Sequence, residues 1–208
     1  MKLNLINLPA TIVAVSKNRS KEDIKRLYHQ GFTIFGENRI QELLLKVDID
    51  LPITWHMIGH LQSNKVKQAV KYTTLIHSVD SIKLLQAIDK EAYKQAKIMN
   101  VLIQINIAKE KTKYGINEDE IFIFVEQAKD LSNIMINGIM VIGPDTDEQA
   151  KIKEVFNKAY KLYQSLEKIK QNNLDIKYLS MGMSNDYQIA IESGSNMVRI
   201  GRLLFENY

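Results

Sequence analysis

The chain has 208 residues, 45% of them apolar and 25% charged, with no cysteine and a formal charge of +4 at neutral pH. That length supports one domain, spanning residues 1–208, with a substantial core. Without thiols there are no disulfides or thiolate metal sites, which suits a reducing compartment, and lysines scattered along helical segments fit a solvated surface better than a nucleic-acid groove. The opening Leu3-Asn4-Leu5-Ile6, followed by Pro9, is too short for a signal peptide, and nothing approaches the roughly 20 apolar residues of a membrane span. A cytoplasmic protein without membrane or nucleic-acid partners is expected.

Thr11-Ile12-Val13-Ala14-Val15-Ser16-Lys17 is a β-branched run that ends abruptly in a lysine. Its lack of polar alternation predicts a strand buried on both faces. Ser20 then caps a helix with Glu22 and Asp23 in its first turn, Ile24, Leu27 and Tyr28 as its apolar stripe, and Gly31 as its end. Phe32–Gly36 is the next strand, leading to Glu37-Asn38-Arg39 and a helix through Gln41–Lys46. Thr54–Ile58 is a third strand closed by Gly59. Ser63–Tyr72 reads as a helix with Val66 and Val70 inward and Lys65, Lys67 and Lys71 toward solvent. Leu75–Val79 is a fourth strand, before a long helix from Ser81 to about residue 99.

Val101–Asn106 is the fifth strand, with a polar turn over 109–115 and a helix from Glu118 to about residue 131. The sixth strand is placed at Gly138–Ile142, stopped by Gly143-Pro144. A long amphipathic helix runs from Asp147 to about residue 170. Tyr178–Met181 is the seventh strand, and Asp186–Glu192 a short helix ended by Gly194. Met197–Ile200 is the eighth strand, closed by Gly201, with Leu203-Leu204-Phe205 as a last apolar turn.

Eight alternations of strand and helix are the pattern of a (β/α)₈ barrel. A doubly wound sheet competes, but eight strands and no Gly-rich dinucleotide fingerprint favour the barrel. A barrel gathers the residues after each strand on one face. Those are Lys17, Asn38, Gly59, Ser78 with Asp80, Asn106, Gly143, Ser180–Ser184 and Arg199–Arg202. An amine at such a mouth loses water, which favours its neutral, nucleophilic form. From its own stretch alone, however, Lys17 reads as an ordinary surface lysine after a strand. The loops after the last two strands are where barrels often bind phosphate, through backbone N–H groups and a helix N-terminus. A lysine at the first exit and a phosphate cradle at the last two describe a ligand carrying an aldehyde and a phosphate, of which pyridoxal 5′-phosphate is the obvious one.

The sequence also resembles the pyridoxal phosphate homeostasis family, small relatives of the alanine racemase barrel. The matching stretches run nearly end to end. They are Ile12–Lys17, Phe35–Arg39, Trp55–Lys65, His77–Asp80, Gln104–Asn106, Lys113–Gly115, Gly138–Met140, Leu179–Asp186 and Met197–Gly201. The resemblance implies a single barrel of the alanine racemase N-terminal type without the racemases' C-terminal β-domain. It implies Lys17 as the Schiff-base lysine, with Asn38 beside the ring and Ser180 near it. Met183 belongs to the ligand mouth, and Ser184 with the backbone of Gly201 and Arg202 holds the phosphate. Arg199 would face the pyridine nitrogen, leave it unprotonated and so weaken the ring as an electron sink. Racemases of this fold also need a tyrosine from the further domain, so the resemblance implies a monomeric carrier or regulator of the cofactor, with apo pyridoxal-dependent enzymes as partners and no committed catalytic residue. A slow pyridoxal-dependent racemase is the alternative, and a cofactor-free lyase or isomerase acting on a sugar phosphate a third.

Two departures from the family stand out. About ten residues precede Thr11 where the family has a long helix, which leaves part of the exterior less covered or covered by a partner chain. Arg202 stands where the family has threonine, and its guanidinium either contacts phosphate or points to solvent. Among other residues, His56 and His60 are four apart without a nearby carboxylate and do not read as a metal pair, while Trp55 and His56 read as packing the neighbourhood of the third strand. His77 reads as a satisfied core histidine, Asp80 as a helix cap ahead of a ring contact, and Met181 and Met183 as core or as ring contacts. Arg199 alone would read as half of a strand-end ion pair.

Overall fold

Residues 5–110 and 112–207 are described in a computed structural model; Leu3 and Asn4 of the opening run, Lys111 of the polar turn and Tyr208 lie outside them. The eight apolar runs become β1 (Thr11–Val15), β2 (Ile34–Glu37), β3 (Thr54–Met57), β4 (Leu75–Val79), β5 (Met99–Ile105), β6 (Ile134–Val141), β7 (Leu174–Ser180) and β8 (Met197–Ile200). Between them lie α1 (Lys21–Tyr28), α2 (Ile40–Leu44), α3 (Val66–Tyr72), α4 (Ile82–Lys94), α5 (Ile121–Ala128), α6 (Gln149–Leu166) and α7 (Tyr187–Glu192), with α8 (Arg202–Asn207) last.

Every strand pairing is parallel, and the sheet closes on itself. Thr11 to Ala14 of β1 pair with Met197 to Ile200 of β8, while Ala14 and Val15 pair on the other side with Phe35 and Gly36. That closure excludes the doubly wound alternative. Successive side chains of a strand point to opposite faces. One set, including Val13, Ile58, Leu75, Leu102, Met140 and Met197, packs together as the barrel interior. The other set, including Ala14, Phe35, Trp55, Ile76, Ile103 and Val198, packs outward under the helices.

Several boundaries differ from the sequence reading. The sixth strand begins at Ile134, four residues before Gly138, which lies within it at φ +144°. The pairing with β7 shifts register between Ile136 and Gly138, so this glycine marks a bulge rather than a strand start. The fourth helix stops at Lys94, well short of residue 99. Ala96 there takes φ 49° and Lys97 N–H returns to the Ala92 carbonyl, freeing Met99 to open β5. The cap of that helix is Ser81, whose hydroxyl accepts from Leu84 N–H, so Asp80 is left for another role.

Candidate functional site

Above the apolar interior lies a layer of buried polar side chains facing the same way. Arg199 Nη1 donates to the Ser180 carbonyl and to Ser180 Oγ, both at 2.8 Å, and Nη2 donates to the Val141 carbonyl at 2.9 Å. His77 bridges Ser180 Oγ (3.1 Å) and His56 Nδ1 (3.0 Å) through its two ring nitrogens. A neutral His77 donates from one of those nitrogens and accepts at the other. Burial holds His56 down to about 4 and His77 well below its ordinary range, the latter helped by its neighbours His56 and Arg199. Arg199 forms no ion pair among the described residues. Its burial lowers the guanidinium to about 10, with Asp186 pulling it back up, so it stays charged near neutrality. The expected ion pair is thus replaced by a cation held on carbonyl and hydroxyl oxygens.

Over this layer opens a cavity of about 770 Å³ at the carboxyl ends of the strands. Lys17, Met183, Ser184, Arg199, Gly201 and Arg202 all line it. The first and last strand exits therefore share one opening, as the closure of β1 on β8 requires. Lys17 is exposed on the rim. The expectation of an amine already stripped of water fails, and any desolvation must come from what it binds. Ser180 is fully buried beneath Arg199, and neither it nor the half-buried Asn38 is in the cavity wall. The Asn38 backbone packs closely on Gly59, where an added Cβ would sit 2.3 Å from the Asn38 carbonyl oxygen. Met181 is core, whereas Met183 is 40% exposed on the wall.

The anion side of the opening is shaped by backbone. Asp186 Oδ1 accepts from Met183 N–H and the Asp186 N–H returns to the Met183 carbonyl, a closed turn that presents Ser184. Burial pushes the Asp186 carboxyl up, while that N–H and the Arg199 charge offset part of the rise. At Gly201 an added Cβ would meet nothing nearer than Val15 Cβ at 3.4 Å. Protein packing alone does not demand a glycine there, and an approaching ligand would use the space. Arg202 donates to Asn185 Oδ1 at 3.1 Å, tying the seventh and eighth loops together.

The opposite rim is fastened by its own contacts. His60 stacks on Tyr114, ring centroids 3.8 Å apart, and its Nδ1 lies 3.0 Å from Asp80 Oδ2, so Asp80 binds a neighbouring loop instead of capping a helix. Lys113 donates to Glu110 Oε1 and to the Gly143 carbonyl, both at 2.7 Å. No group of three or more potential metal ligands occurs among the described residues.

Sequence reasoning missed a second buried cluster behind Lys17. Lys46 Nζ donates to Glu37 Oε1 (2.6 Å) and to the Ser16 carbonyl (2.8 Å), and Ser16 Oγ donates to the same Glu37 oxygen at 2.7 Å. The only hint in the sequence is an acid at the end of a buried strand. It also missed the Arg199–Ser180–His77–His56 chain, whose members come from four strands.

A closed barrel with a rim lysine, an arginine floor and a glycine-edged cradle defines a class, the alanine racemase N-terminal type. The model of the alanine racemase N-terminal domain family matches residues 4–208. Pyridoxal phosphate homeostasis proteins of Aquifex aeolicus and of Helicobacter pylori strain J99 are 38% and 37% identical, each match covering 94% of this chain and 86% of the relative. The chain belongs to the pyridoxal phosphate homeostasis protein family. The structure of PipY from Synechococcus elongatus without PLP superposes at a TM-score of 0.90 and 34% identity, covering 95% of this chain and 93% of that one. PipY with PLP bound gives 0.86 at 32%, over 95% and 92%. An alanine racemase of Clostridium difficile 630, 17% identical at a TM-score of 0.79 and with 54% of its length covered, shares the fold.

Proposed function

We propose that this chain binds pyridoxal 5′-phosphate in the opening described above and acts in its intracellular homeostasis, holding the cofactor and releasing it to apo enzymes as a cytoplasmic monomer. The observation that carries this is the convergence of Lys17 with Ser184, Gly201 and Arg202 on a single cavity floored by Arg199. The residues fit the group chemically. Lys17 supplies an amine able to bond the aldehyde carbon with loss of water. Ser184 and the backbone at Gly201 and Arg202 suit a phosphate, and the Asp186 and Glu110 carboxylates nearby are engaged by the N–H groups of Met183 and Asp145. Met183 offers a polarizable side chain to a ring face.

Arg199 is a donor only and stays protonated near neutral pH. Facing a pyridine nitrogen, it would keep that nitrogen an acceptor, and a cofactor whose usual chemistry is to draw electrons from a bound amino acid would do so weakly. Ser180 keeps Arg199 in place from below, and Asn38 stands at the second strand exit, where it can flank a ring. No helix among the described residues is long and apolar enough to cross a membrane.

Purified protein mixed with pyridoxal 5′-phosphate should develop imine absorbance, and borohydride reduction should label one lysine. Lys17→Ala should abolish both. Absorbance unchanged in that variant sinks the reading. Lys17-dependent deuterium exchange at an amino acid α-carbon would instead favour the catalyst.

A further inference from the structure

The residue before Lys17 is fixed far more firmly than Lys17 itself. Ser16 N–H donates to the Gly36 carbonyl at 3.0 Å, its hydroxyl to Glu37 Oε1 at 2.7 Å, and its carbonyl accepts from Lys46 Nζ at 2.8 Å. Ser16 and Glu37 are wholly buried and Lys46 is 6% exposed. One step on, Lys17 and Asn18 are exposed, and Asn18 takes the left-handed φ of 57°. Strand alternation separates the two environments. Ser16 and Glu37 share the outward face with Ala14 and Phe35, whereas Lys17 falls on the inward face with Val13 and Val15.

This cluster is a poor choice if stability alone were selected. A buried ion pair seldom outperforms apolar residues of similar volume. Here Glu37 Oε2 is in addition buried with no hydrogen-bond partner, an uncompensated desolvation. Burial pushes the Glu37 carboxyl up, offset by Lys46 and Ser16. The Lys46 ammonium and the Ser16 hydroxyl both hold Oε1, and the same ammonium grips the Ser16 carbonyl. That carbonyl belongs to the peptide plane entering Lys17, and a planar peptide fixed at its oxygen fixes the direction in which the next Cα departs.

The structure assigns Lys46 and Glu37 as positioning residues for Lys17. They lie outside the cavity wall and act through the Ser16 peptide, aiming the lysine toward the Ser184 and Gly201 side of the opening. The inference rests on the proposed cofactor and deepens it. Its test compares pyridoxal 5′-phosphate, whose aldehyde can bond Lys17, with pyridoxamine 5′-phosphate, which keeps ring and phosphate but has no aldehyde. Lys46→Met strands a buried carboxylate, so the double variant Glu37→Gln/Lys46→Met, which strands no charge, is measured beside it. In the double variant the affinity for the aldehyde should fall about ten-fold or more, with the pyridoxamine affinity unchanged. An unchanged ratio of the two affinities overturns the positioning role and leaves the cofactor reading standing. Equal loss of both, or a double variant that does not fold, assigns the pair to the fold alone and overturns it as well. Wild-type protein that binds neither compound overturns the cofactor reading itself.

Discussion

Two neutral imidazoles beside a permanent cation make the floor of the opening sensitive to acid. His56 and His77 bridge from the barrel wall to Ser180, and a proton added to either would bury a second charge near Arg199. An imidazole held below its ordinary value binds fewer protons folded than unfolded. Its contribution to stability is therefore complete above about 6.5 and lost as pH falls through the folded value. For His56 that window runs from 6.5 to about 4, worth roughly 3 kcal/mol when fully traversed. Glu37 and Asp186 act in the opposite sense, since their raised carboxyls gain stability as pH falls. Comparing wild type with His56→Gln cancels those terms. Urea midpoints taken between about pH 7.5 and 4.5 should fall less steeply in the variant, and parallel curves would refute the account. At this scale the sequence was legible for which residues reach one opening, Lys17, Ser184 and Arg199 among them. It was silent on Arg199–Ser180–His77–His56 and on Glu37–Lys46–Ser16, because neither has a local spacing and each depends on strand alternation plus closure.

Elements were legible where apolar runs met turn residues, and misread where glycine served another purpose. Gly138 looked like the entry to a strand, yet it sits inside β6 at φ +144°, where an added Cβ would lie 1.9 Å from the Tyr178 carbonyl. The bulge lets Met140 face Ser180 in register, and so sets where the arginine floor is anchored. Gly138→Ala meets an unfavourable backbone conformation and a collision with backbone that cannot swing away. A loss of about 2–4 kcal/mol is expected, read as a lower urea midpoint at unchanged slope. A variant as stable as wild type would mean that the bulge is not required. The α1 boundary, by contrast, could be read outright, because Ser20 Oγ accepts from Asp23 N–H while Asp23 returns a carboxylate to Ser20 N–H. That box fixes where the chain leaves the Lys17 loop. The Asp80–Ser81 pair shows the limit of such reading, since both are good caps and only the contact of Asp80 with His60 assigns them.

For the molecule as a whole, counting strands predicted the one juxtaposition that matters, because eight parallel strands in a closed barrel bring the first beside the last. The seams flanking β8 are unequal. Four residues of β1 pair with β8, whereas β7 and β8 meet in register only at Ser180 with Met197. The second seam leans on other bonds: Arg199 N–H to the Gly182 carbonyl, Met181 N–H to the Met197 carbonyl, and the single Ser195 hydroxyl hydrogen, which has three carbonyls of this region within reach, Met181 nearest at 2.8 Å. A ligand touching Lys17, Ser184 and Gly201 would span both seams and fasten the weaker one. Binding that favours only the folded state stabilises by mass action, about 2.7 kcal/mol at a hundred-fold excess over Kd. Saturating pyridoxal 5′-phosphate should thus raise the unfolding midpoint, with the largest gain in amide-exchange protection over residues 181–186 and 199–204. Lys17→Ala would leave the proposed phosphate contacts in place, so some protection of those loops should survive while that at 16–19 is lost. Protection spread evenly around the barrel, or confined to the loops after β3 to β5, would place the ligand elsewhere on the rim.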